Sequence, residues 1–331
     1  MPSETLLAGV ALFAVIAYGI LAGADFGGGI WDILASGPHR DEQRTTIARA
    51  MGPVWEANHV WLIFLIVILF SGFPPAYAAL SVGLFAPLHL VLLGITLRGG
   101  AFVFRAHGRV GGASLVWGAV FGGASVITPV LLGMSLGAVS AGNLRIHDGV
   151  VALDGPASWT SPISIAMGLL ALSICAYLAA VFLTNETTGA LQEIFRSKAL
   201  VAGTFVVALA ALAVPLTRYE AEHLYFGLTS ARGAGVIGVG VLAALLSGWA
   251  LLTRRFRLAR RATVVQVAFL LGGWGVAQYP YLIYPDLTLA AAAAPEATIR
   301  FVLWTLPFGA AVLAPSIWFL FKVFKSAALK S

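Results

Sequence analysis

The chain has 331 residues, 60% of them hydrophobic and 10% charged, with a formal net charge of +6 and a mean hydropathy of +0.92. A soluble domain carries about a quarter charged residues, so this composition excludes one and points to a polytopic membrane protein, whose helices each need about 20 apolar residues to cross. The basic residues sit in short loops between apolar runs, which favours lipid and topology over nucleic acid as the reason for the positive charge.

The first apolar run, Leu6 to Ile33, contains Asp25 and the glycines Gly27 to Gly29 in its second half. It lacks a basic leader and a small-x-small cleavage site, so it reads as a retained first helix. The second runs from Val54 to Gly72, or from Ile47 if its helix starts early. Seven more follow: Tyr77 to Leu97, Leu115 to Val139, Ser161 to Leu183, Ala199 to Leu216, Gly233 to Leu252, Thr263 to Ile283 and Phe301 to Phe324. The expectation is an all-α membrane protein of about nine spans, in which the short link Phe73 to Ala76 makes the second and third spans antiparallel neighbours. Two four-helix bundles, 1–145 and 146–285, are expected, then an outer connector that includes Ala290 to Ala294 and a ninth helix, 286–331. Sixteen of the 20 Lys and Arg residues fall in one set of alternate loops, with Arg98 counted there, which places the amino terminus outside and the carboxyl terminus in the cytoplasm.

Only Asp25, Asp32 and Glu56 among the 14 acidic residues fall within or beside a span. Asp32 is expected to reach the cytoplasmic headgroups. Ionisable groups at membrane depth are costly and by default functional. If the second helix starts near Ile47, Glu56 lies as deep as Asp25, and the two suit a proton relay entered from the cytoplasm; if Pro53 opens the helix, Glu56 stays near the headgroups. Glu56 and His59 share one helix face and Asn58 lies on the next, so the group could also be an interhelical hydrogen-bond cluster. His59 and His89, on the second and third spans, are weak candidates for a haem. Trp55 and Trp61 read as packing residues. His39, His107, His147 and His223 lack metal-ligand spacing, and the lone Cys175 reads as a buried hydrophobe. The run Gly272 to Pro285 reads as close packing, with Pro280 kinking the eighth span.

The blocks ADFGGGIWDIL (Ala24 to Leu34), GPVWEANHVWLI (Gly52 to Ile63) with FPPAYA (Phe73 to Ala78), and GWGVAQYPYLIYP (Gly273 to Pro285) resemble subunit II of the cytochrome bd quinol oxidases. The resemblance implies a partner, subunit I, that carries haem b and haem d, oxidises quinol and reduces oxygen to water. The second subunit of that family holds no haem ligand; it offers an interface, a proton route from the cytoplasm and part of an apolar oxygen path. By motif position the resemblance assigns Glu56 to the proton path with Asn58 beside it and Trp61 to the gas route. With Asp25 and His59 added to the proton path, and Trp55 to the oxygen route or subunit interface, these are the candidate site residues. Small single-helix subunits, the quinone pool and lipid are the further partners, and a bacterial or archaeal cytoplasmic membrane the location. The rival readings are a proton-coupled transporter, for which no inverted repeat is visible, and an inert structural subunit.

Overall fold

The structure, a computed structural model, describes residues 2–51, 55–107, 112–147, 150–152 and 158–328. The side chains of 51, 55–57, 105–107, 112–115, 147, 317 and 320–328 also lie outside the description. The chain begins with α1 (Ser3–Ile33), α2 (Arg40–Met51), α3 (Trp55–Gly72), α4 (Pro74–Gly83), α5 (Phe85–His107) and α6 (Gly112–Ser140). A hairpin of β1 (Arg145–His147) and β2 (Val150–Ala152) leads into α7 (Pro162–Glu186), α8 (Gly189–Glu220), α9 (Glu222–Thr229), α10 (Ala231–Leu252) and α11 (Phe256–Gln278). A second hairpin, β3 (Tyr281–Ile283) and β4 (Leu287–Thr288), and the single turn α12 (Leu289–Ala292) precede α13 (Glu296–Ala328).

Seven of these helices are long and apolar enough to cross a membrane, or eight if α3 and α4, bent by 119° at their junction, make one span. Of the nine expected runs, the eighth corresponds to α11, whose early turns carry Arg257, Arg260 and Arg261. That helix stops at Gln278 rather than kinking at Pro280. Proline has no N–H to donate and drives the preceding residue out of the helical region, and Tyr279 accordingly takes ψ 137°. The third expected span is broken at Leu84 into α4 and α5. Pro74 and Pro75 open α4, where missing N–H groups cost nothing. The bend leaves α3 packed chiefly on α1, with lesser contacts to α4 and α13, and α5 on α6, so the expected pairing of the second and third spans is not the dominant contact.

Helix α1 is the hub: α3, α6, α7 and α11 all pack on it. Its glycines are the reason. A Cβ at Gly27 would overlap the carbonyl oxygen of Cys175 on α7, and one at Gly29 would overlap Ser125 on α6. At Gly27 the two backbones therefore meet with nothing between them, the close approach that small residues permit in lipid. Above this crossing, Leu7, Ile68, Phe73, Ala76, Ile283, Leu289 and Ala292 form one buried cluster that ties α12 and β3 down onto α1, α3 and α4. The polyalanine stretch is thus partly core. The two hairpins are clasped by Arg145, whose Nε and Nη2 donate to Asp286 at 2.9 and 3.0 Å, while the Ile146 N–H donates to the same carboxylate at 2.8 Å.

Candidate functional site

On α1, Tyr18, Asp25 and Asp32 stand seven residues apart, so they share one stripe with a rise of about 10 Å between neighbours. Each is met by a polar side chain from a different helix. At the α2 end, Arg44 donates from Nε and Nη2 to Asp32, both at 3.3 Å. Asp32 is 3% exposed, so it is sealed beneath α2 instead of reaching headgroups. Gln43 and Ile47 dock that short helix, with the Gln43 amide donating to the Ser36 carbonyl at 3.0 Å and Ile47 buried in the core.

Two turns deeper, Arg98 of α5 donates to the Asp25 carboxylate at 2.6 Å, to the Asp25 carbonyl at 3.0 Å and from Nε to Ser125 Oγ at 3.0 Å. Its guanidinium lies over the rings of Phe26 and Phe121, at 5.1 and 4.9 Å from their centroids. Asp25 and Arg98 are 5% and 2% exposed. Two charges taken this far from water are tolerable only when paired and fully hydrogen-bonded, and the aromatic faces add cation–π attraction. Arg98 is therefore no loop cation. It stands well inside α5, which continues to His107.

Further along the stripe, the Tyr18 hydroxyl and His59 Nδ1 are 3.3 Å apart, and His59 packs beside Phe26. Asn58 donates to the Leu21 carbonyl at 3.3 Å. With Leu7 facing Gly72 at the far end, these contacts fix α1 and α3 as antiparallel in one register. In that register the backbone of Glu56, in the first turn of α3, comes level with Gly23, about two residues from Asp25. Helix α2 ends at Met51 and α3 begins at Trp55, so the early start near Ile47 is not needed for this depth. The side chains of Glu56 and Trp55 lie outside the described residues. Trp61 is half-buried, edge-on to Phe13 and Phe64 at 5.5 and 6.3 Å.

His89 does not join His59. Its Nδ1 donates to its own helix at the Phe85 carbonyl, 2.8 Å away, its ring lies against Phe85, and it faces outward. The two histidines do not converge on one haem site. No group of three His, Cys, Asp or Glu that could hold a metal occurs among the described residues.

The family described as cytochrome bd terminal oxidase subunit II matches residues 3–324. The chain belongs to this family. It is 31% identical over 243 residues to the cytochrome bd ubiquinol oxidase subunit 2 of Bacillus subtilis, covering 70% of this chain and 67% of that one. A second Bacillus subtilis protein, named as a candidate cytochrome bd menaquinol oxidase subunit II, is 26% identical over 323 residues, 94% of this chain and 92% of the other. The fold is also that of a chain of the bd oxidase from Geobacillus thermodenitrificans, with a TM-score of 0.83, 26% identity and coverage of 98% and 99%. A cytochrome bd subunit II is an integral membrane component of a quinol oxidase complex, with a subunit I as its partner and haem and quinol in the complex. Membership sets aside the transporter reading. The site residues that sequence reasoning missed are Arg98, Arg44, Tyr18 and Ser125. For Arg98 a signal existed: the apolar residues Ala101 to Phe104 resume after it, as they would in a helix that runs on.

Proposed function

We propose that this chain is the haem-free subunit of its oxidase and carries protons inward along the α1 stripe, with Glu56 as the exchanging acid. Haem b and haem d belong to subunit I in this reading, quinol is oxidised there, and no step on this chain runs through a haem. The observation that carries the proposal is the ladder Asp32, Asp25, Tyr18 on one face of α1, met by Arg44, Arg98 and His59. A bundle that needed only packing would not maintain so many polar groups in an apolar interior, where each must be compensated. Protons enter at the α2 end, the cytoplasmic end by the distribution of basic loops. The Asp25–Arg98 pair sets the field at that depth, and Glu56 accepts and releases the proton beside it. Asn58 holds α3 against α1, and His59 with Tyr18 extends the polar seam. Trp61 and Trp55 border the apolar path for oxygen or the face toward subunit I. The complex works in a bacterial cytoplasmic membrane, drawing on the quinone pool.

Glu56→Gln removes the exchangeable proton and keeps the size of the side chain and a carbonyl acceptor. Oxygen consumption by the purified complex should fall about tenfold or more, the scale of lost proton-transfer catalysis, with haem content and assembly unchanged. Full turnover in that variant would sink the relay and leave the cluster structural.

A further inference from the structure

Where α10 turns into α11, the end of α7 and the start of α8 border an open cavity of about 460 Å³ lined by Asn185, Gln192, Arg254, Arg255, Phe256 and Arg257, among others. Arginines 254, 255, 257, 260 and 261 crowd this corner, while the carboxylates facing it are Glu193 and Glu186. Arg254 donates to Glu193 at 2.8 Å, which Arg196 also binds at 2.7 Å, and Arg260 lies 3.9 Å from Glu186. Arg255, Arg257 and Arg261 have no carboxylate partner among the described residues. The excess positive charge meets the positive end of the α11 dipole, an arrangement that repels itself and attracts an anion.

Two details show that the corner is built and not merely decorated with topogenic charge. The turn is closed by the Arg254 N–H to the Leu251 carbonyl and the Arg255 N–H to the Ala250 carbonyl, at 3.3 and 2.7 Å. Such a cap calls for glycine at its left-handed position, yet Arg254 occupies it with φ 58°, the one non-glycine residue at positive φ among those described. The conformational cost is accepted with an arginine on the cavity wall. Then Arg255 stacks over Trp249, 4.7 Å from its centroid. Trp249 belongs to an exposed stripe on α10, Leu242, Leu245, Trp249 and Leu252, so Arg255 on the cavity wall joins the charged corner to an apolar helix face.

We propose that this cavity binds the phosphate of an anionic phospholipid, whose acyl chains lie along the α10 stripe. Guanidinium groups grip phosphate through paired N–H donors, and basic pockets between spans are the sites where acidic lipid headgroups bind. Free phosphate satisfies the cavity alone; only a lipid satisfies the cavity and the stripe together.

The test uses the intact complex, delipidated in detergent and titrated with phosphatidylglycerol, phosphatidylcholine or inorganic phosphate, with bound lipid read by native mass spectrometry and stability by thermal midpoint. Phosphatidylglycerol should be retained and raise the midpoint, and the variant Arg255→Ala with Arg257→Ala should bind it at least tenfold more weakly while consuming oxygen normally. The control Arg232→Ala with Arg300→Ala, away from the cavity, should bind as the unmodified protein does. Equal retention of phosphatidylcholine, an equal rise with inorganic phosphate, or unchanged binding by the alanine pair overturns the proposal. If the alanine pair fails to assemble, Arg255→Lys with Arg257→Lys carries the test: severalfold weaker binding is expected, and unchanged binding overturns it.

Discussion

Removing the Arg98 guanidinium while keeping the Asp25 carboxylate leaves one charge inside the bundle with no counter-charge, a change that costs about 3–5 kcal/mol in buried pairs. Arg98→Gln should therefore lower the thermal midpoint and the membrane yield sharply. The double variant with Asp25→Asn should recover much of that loss, because two neutral amides of similar shape can bond to each other. If the double variant is as unstable as the single one, the pair is not the source of the stability. Both partners were half visible in the sequence. Asp25 stood out as an acid in an apolar run, whereas Arg98 passed for a loop cation because hydropathy reads any charge as the end of a span. Glu56 stood out for its motif, but its depth was open until Leu7, Tyr18 and Leu21 set the register of α3.

Helix α1 owes its central place to glycine rather than to apolar bulk. Gly27→Ala should abolish accumulation of the complex, since the added methyl overlaps a backbone oxygen of α7 that cannot turn aside. Gly9→Ala, with no atom near its Cβ, should accumulate normally, and immunoblots of membranes compare the two. In the second half of the chain, α7, α10 and α11 are joined by a buried hydroxyl triad. Tyr177 lies 2.7 Å from Ser247, which lies 2.7 Å from Thr263. Tyr177→Phe should lower stability by about 1 kcal/mol, the net worth of a typical buried hydrogen bond, measured as a small drop in thermal midpoint with turnover intact. The long helices were legible because an uncharged apolar run of membrane-crossing length is hard to place anywhere but in a span. The hairpins were not, since strands of two or three residues carry too little alternation to be told from a loop, and β4 spans only Leu287–Thr288. The break at Leu84 was equally hidden, for the residues on both sides are apolar.

At the scale of the whole molecule, the distribution of basic loops predicts an amino terminus outside. Cys175 is buried, so single cysteines can be read against a silent background. Ser230→Cys should react with a membrane-impermeant thiol reagent in intact cells, and Thr253→Cys only after lysis; the reverse pattern would invert the orientation and the entry side of the proton path. The ion pair in the second half of α1 also constrains how the chain enters its membrane. Asp25 and Arg98 are 73 residues apart in sequence, so α1 is synthesised long before its counter-charge exists. A carboxylate within a lone span costs up to about 2.5–3.5 kcal/mol on insertion, the value at the helix centre. The other apolar residues of α1 must outweigh that cost until α5 arrives. The subunit thus depends on an arginine made long after the acid it pairs with.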